Sequence, residues 1–168
     1  MSESKPPYPP PVPLPPPLDG EVARLVGVIL AAAEADVRPL VRAMLGAEDV
    51  AGARPHAVLP VVDRLLVALR DDDEAVRRKA ALAVEEVGPA ALANVVRTFL
   101  ESADPGYKAG LIDLVGRIGA RDRAQTVPAL AGMVLGQSDP AVVRAAVRAV
   151  AAIGAGRRDD PGLVELGV

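Results

Sequence analysis

The residues able to do chemistry are few, and they do not converge. His56 is the single histidine, set between Pro55 and Ala57, and the chain has no cysteine. Metal centres and Ser-His-Asp catalysis need several such groups gathered at one point. The chain is therefore expected to have no catalytic residue, no metal site and no cofactor. The acidic run Asp71–Glu74 lacks the alternating oxygen ligands, the sixth-position glycine and the closing glutamate of a calcium loop. It reads as a capped turn with solvated charges. Tyr8, Phe99 and Tyr107 are the whole aromatic complement, which leaves no tryptophan to stack on a base. The formal charge of −3, from 19 basic and 22 acidic residues, also lacks the basic excess of a general nucleic-acid binder.

What must position any functional surface is a repeated helical unit. Three gapless windows of twenty residues align: Leu69–Gly88, Leu100–Gly119 and Leu135–Gly154, starting 31 and 35 residues apart. Asp73, Asp104 and Asp139 occupy one column, where a carboxylate accepts from the free amides of a helix start and suits its dipole. Pro105 and Pro140 follow two of them, at the first helical position that proline tolerates. An apolar stripe then runs Val76, Ala80, Val84, Val87 in the first copy. It runs Tyr107, Leu111, Val115, Ile118 in the second and Val142, Ala146, Val150, Ile153 in the third. Steps of four, four and three keep each stripe on one helix face. Gly88, Gly119 and Gly154 end the three helices, where a residue free to take positive φ is favoured.

The segment before each window repeats apolar residues every four: Val61, Leu65, Leu69; Leu92, Val96, Leu100; Val127, Ala131, Leu135. Each unit is thus a first helix, an Asp-bearing turn and a second helix, with turns expected near 71–74, 102–105 and 137–140. An incomplete earlier copy is expected as helices over Glu21–Ala35 and Val37–Leu45, followed by a loop over Ala47–Pro55 that carries His56 at its end. With Ala, Val, Leu and Ile supplying nearly all of the core, the fold class is all-α. Residues 1–18 hold nine of the seventeen prolines and read as a disordered polyproline arm, residues 19–155 as the repeat body and 156–168 as a tail. The longest uncharged apolar run, Leu25–Ala33, is far shorter than the roughly 18–20 residues of a membrane span. With no apolar segment behind Lys5 to act as a secretory signal, a cytoplasmic location is expected.

The pattern Asp–x–x–Val–Arg, an alanine, and a terminal Ile/Val-Gly resembles HEAT repeats, most of all the short HEAT-like repeats of the phycobiliprotein-lyase type. Asp73, Val76, Arg77, Ala80, Val87 and Gly88 carry the fullest match. The second copy has Tyr107 for Val and Lys108 for Arg, and the third has Val143 where Arg is expected. The Thr-Pro-Leu-His of ankyrin and the aromatic pattern of tetratricopeptide repeats are missing. The resemblance implies a short right-handed α-solenoid of three to four helical hairpins. It also implies that Asp and Arg or Lys of successive units hydrogen-bond along the inner edge, through Asp73, Asp104, Asp139, Arg77 and Lys108. Di-iron hydroxylases among HEAT-like proteins use His-Glu pairs, which this chain lacks. HEAT-like DNA glycosylases use a basic face with aromatics, also missing here.

The expected function is a non-catalytic scaffold for a protein partner, with no membrane insertion and nucleic acid disfavoured. Second-helix positions outside the stripe would form the binding surface: Arg78, Leu82, Asp113, Arg117, Arg144 and Arg148. The resemblance supplies an alternative, a lyase or lyase accessory for a tetrapyrrole, which would need an apolar groove with several polar side chains around Tyr107.

Overall fold

The computed structural model describes residues 19–51 and 55–155; the proline-rich arm and the tail lie outside them. Among the described residues there are eight α-helices, one 3-10 turn and no strand. The helices are α1 (Asp19–Ala31), α2 (Glu34–Ala51), α3 (Pro55–Ala68), α4 (Glu74–Val87), α5 (Leu92–Glu101), α6 (Pro105–Gly119), α7 (Arg123–Val134) and α8 (Pro140–Ala155), with the 3-10 turn at Gly88–Ala91. The chain is all-α, with a repeat-like succession of helices. Packing follows the parity of the helices. Odd-numbered α1, α3, α5 and α7 touch in series, as do even-numbered α2, α4, α6 and α8, and each odd helix also touches the even helix after it.

The expected caps form. Asp73 accepts from the Ala75 amide at 2.8 Å, Asp104 from Gly106 at 2.9 Å and Asp139 from Ala141 at 2.8 Å. Each carboxylate satisfies an amide that the first turn leaves without a partner. Asp71 accepts from the Asp73 amide at 2.9 Å, so the acidic run is a self-bonded turn. Gly88 takes φ 71° after α4 and allows the chain to turn into the 3-10 segment.

Several expectations need correction. The segment expected as a loop over 47–55 is helical at 47–51, because α2 runs through Gly46, and Pro55 and His56 open α3. α2 starts at Glu34, three residues before the expected Val37, which puts Pro39 in its second turn. Gly119 and Gly154 lie within α6 and α8 and have no positive φ; Gly136 has one instead. Gly119 is small for another reason. A Cβ there would sit 2.6 Å from the Thr126 methyl and 2.7 Å from Ile153, so hydrogen is what lets α8 approach.

The core runs through Leu65, Leu66, Val84, Val95, Phe99, Leu111, Val115, Ile118 and Met133. Ala80, Val142, Ala146 and Ile153 are buried in the expected phase. Val150 is not: it is 61% exposed, and Ala149 is buried in its place. Leu100, Val127, Ala131 and Leu135 are likewise exposed, while Phe99, Leu130 and Met133 turn inward. In α3 the same column is covered at Val61 and Leu65, which share a small cavity with Leu25, Ile29, Val41 and Met44 of the preceding helices α1 and α2. In α5 and α7 the column turns outward, and Leu100 is 65% exposed although α7 follows α5.

Candidate binding groove

A groove of about 590 Å³ opens between α4 and α6. Its floor is Leu69, Ala81, Tyr107 and Leu114; Arg70, Arg77, Arg78 and Arg117 rim it with Glu74, Asp104 and Asp113. Gly106 and Gly110 also line it, so α6 presents bare backbone toward the opening.

The opening has a cause in side-chain size. Where α6 meets α8, Gly116 faces Ala149, and a Cβ on Gly116 would fall 2.7 Å from the Ala149 Cα. Shifting back one unit, by 31 and 35 residues, replaces that pair with Glu85 and Leu114. Two long side chains stand where a glycine and an alanine let the next pair close. α4 and α6 accordingly touch sparingly, and α6 and α8 along most of their length.

Ion pairs tie the even helices together. The nearly buried Glu85 accepts from Arg38 of α2 at 2.8 Å and lies 3.4 Å from Arg117 of α6. Glu86 pairs with Arg42 of α2 and, at 3.2 Å, with Arg121 just beyond α6. Two carboxylates in the last turn of α4 face an unfavourable helix dipole, and four guanidinium groups offset it. Burial alone would raise the Glu86 carboxyl, but hydrogen bonds and charge from Arg42 and Arg121 outweigh it and hold the group below its ordinary 4.5. A depressed folded value stabilises the fold fully above the unfolded value and progressively less as pH falls through the folded one. Glu86→Gln should therefore flatten the acid limb of stability below pH 4.5, measured as the urea midpoint against pH. An unchanged limb would remove Glu86 from the cause.

The six residues expected to form the surface are dispersed. Arg78, Asp113 and Arg117 meet at the groove. Arg78 lies 3.9 Å from Glu34 and 3.8 Å from Glu74. Arg148 grips Asp113 through both carboxylate oxygens, at 3.1 and 2.7 Å, and so ties α8 to α6. Arg144 is exposed and makes no ion pair among the described residues. Leu82 is half-buried and packs on the core.

The expected Asp–Arg ladder at the turns is absent among the described residues. Arg77 donates instead to the carbonyls of Asp71 and Asp72, at 2.6 and 2.8 Å, and Lys108 lies over the Phe99 ring. The links between units include Arg38–Glu85, Glu86–Arg121, Glu85–Arg117, Asp63–Arg97 and Asp113–Arg148.

Comparison with protein-family models, with curated proteins and with solved structures returns no match. The site is accordingly defined by its own geometry. Arg70 and Tyr107 were missed as groove residues. Arg70 lies 5.1 Å from the Tyr107 ring centroid, and the Tyr107 hydroxyl donates to the Leu66 carbonyl at 2.6 Å. Burial pushes that hydroxyl above its ordinary value, against the Arg70 charge, so it acts as a neutral donor closing the end of α3. The arginines at 38 and 42 and at 117 and 121, each four apart beside Glu85-Glu86, were the available signal for the ion-pair cluster. Among the described residues no group of three or more His, Asp or Glu side chains is placed to hold a metal, and no helix is long and apolar enough to cross a membrane.

Proposed function

We propose that this chain is a HEAT-like α-solenoid acting as a non-catalytic scaffold, and that a peptide segment of a protein partner lies in the groove between α4 and α6. The solenoid reading is supported by the serial packing of odd helices on odd and even on even, the order expected of stacked hairpins. The observation that carries the function is the groove itself. It is open along one side, its floor is apolar, and its rim alternates arginines with carboxylates. Ligand sites combine such an apolar floor with a few polar groups that fix orientation. Two of the rim carboxylates are already engaged, Asp104 in capping α6 and Asp113 with Arg148. The arginines are held as well, Arg77 by two carbonyls and Arg117 by Glu85, but a guanidinium keeps spare donors. Arg78, whose carboxylates stand 3.8 and 3.9 Å away, is the group best placed to receive a partner's carboxylate or carbonyl.

Gly110 gives the test. A Cβ built there meets nothing within 4 Å, so a larger side chain enters the groove without disturbing the packing. Glycine inside a helix costs about 0.5–1 kcal/mol relative to alanine. Gly110→Ala should raise stability by about that amount, and a denaturant midpoint that falls instead would show the position to be packed. Gly110→Trp should keep the fold and weaken capture of native partners at least tenfold, while Leu100→Ser, on the exposed side of α5, should leave capture intact. Equal capture by both variants would move the binding site away from this groove.

A further inference from the structure

Among the described residues, α7 and α8 end in an apolar face, and its centre on α8, Val147 and Val150, stands where α6 has the buried Ile112 and Val115. On α8, Val143, Val147 and Val150 follow one another at steps of four and three, and are 41%, 67% and 61% exposed. On α7, Val127 and Leu135 are 45% and 78% exposed, with Ala131 exposed between them. One unit earlier, 35 residues back, the α8 positions 147, 150, 151 and 154 correspond to Ile112, Val115, Gly116 and Gly119 of α6. All four of those residues are buried, and α8 lies directly on Gly116 and Gly119. The outer face of α8 therefore repeats the surface by which α6 receives a helix. It also repeats the small residues that allow close approach: Ala151 for Gly116, and Gly154 for Gly119.

We propose that this face is the contact between two copies of the chain, joined back to back by α7 and α8 about a two-fold axis. The equivalent surface on α6 is covered by an apolar helix face of this chain, and the outer face of a second α7–α8 pair supplies another apolar helix face. The size is adequate. α8 has 16 residues, about 24 Å at 1.5 Å per residue, and two packed helices span about 20 Å. The face thus covers about 500 Å², and two of them remove about 1,000 Å² from water, the lower end for a specific interface. A face of about 500 Å² matches the largest apolar patch of a typical monomer, and such patches are often functional. Its centre holds no charge, and Arg144 lies at the edge, so pairing the face with itself buries no ionised group. Head-to-tail stacking fits less well, because α1 and α2 expose Glu21, Arg24, Asp36 and Arg42. Of these, Glu21, Arg24 and Asp36 would be desolvated against valines without partners. An isologous contact also closes after two copies instead of propagating.

The chain contains no cysteine, which makes a direct readout available. The full chain should sediment as a particle of twice 17.3 kDa, and Val147→Cys should oxidise to a covalent dimer. Val67→Cys, equally exposed on α3, should cross-link at least tenfold less. Val147→Glu and Leu135→Glu should each give monomers with unchanged helical circular dichroism. A full chain that stays monomeric while a chain ending at Ala155 dimerises would assign the face to residues 156–168 and overturn the proposal. Monomers in both forms, or a dimer that survives both glutamates, would overturn it as well.

Discussion

Gly116→Val is expected to lower the unfolding free energy by about 3 kcal/mol or more, the upper range for overpacking a closed interface. The site leaves little room for relaxation. The first atom added beyond the glycine would lie 2.7 Å from the Ala149 Cα and 2.8 Å from its Cβ. Both belong to a helix backbone or its first side-chain atom, and neither can swing aside as the end of a long side chain would. α8 must move bodily away from α6. That movement breaks the seating of Ile153 against Gly119 and stretches the Arg148–Asp113 pair. Gly116→Ala should show the same defect in milder form, since alanine's better helix propensity returns about 1 kcal/mol. Adding Ala149→Gly to it should restore only part of the loss, because the clash with the backbone of residue 149 remains. Urea midpoints of the three variants decide the matter. If Gly116→Val is as stable as the parent, the tight α6–α8 joint is wrong, and with it the size argument for why α4 and α6 stand apart.

That joint also marks where the sequence stops being informative. Capping is local: Asp73, Asp104 and Asp139 reach amides two residues on, so a column of aspartates before an apolar stripe is enough to place three helix starts. The stripe is legible for the same reason, since helical periodicity puts Ala80, Leu111 and Val142 on inner faces whatever they meet there. Gly119 is different. A glycine after an Ile/Val at a helix end is equally suited to a left-handed cap and to close packing, and it is Thr126 on α7 and Ile153, 34 residues away on α8, that select the second. Val150 follows the buried pattern in sequence yet is 61% exposed, because burial of the last described unit depends on a neighbour that the repeat cannot announce. Leu135 is exposed as Leu100 is, so the periodicity misphases that column in both helices. The groove was half legible. Arg78, Asp113 and Arg117 fall out of the helical phase, but the gap that unites them arises from Glu85 and Leu114 occupying positions that are small one unit later.

Leu111→Ala should cost about 2–5 kcal/mol, the range for removing a leucine from a closed core. Leu111 is fully buried, on a helix that packs against α4, α5, α7 and α8. A cavity at this point weakens packing on several sides, so the loss should appear as a lower midpoint of one cooperative transition. Two other replacements serve as controls with a stated physical basis. Leu100 begins the second twenty-residue window as Leu69 begins the first, but it is 65% exposed, and Leu100→Ala should change stability by no more than about 0.5 kcal/mol. Arg148 holds Asp113 in solvent, where ion pairs contribute little, and Arg148→Ala should leave the midpoint close to the parent's. The large difference between two leucines eleven residues apart tests the phase of α5 and α6 together. A costly Leu100→Ala beside a silent Leu111→Ala would rotate both helices about their axes. The groove between α4 and α6 would then lose its floor, and the arginines assigned to its rim would no longer face a common opening.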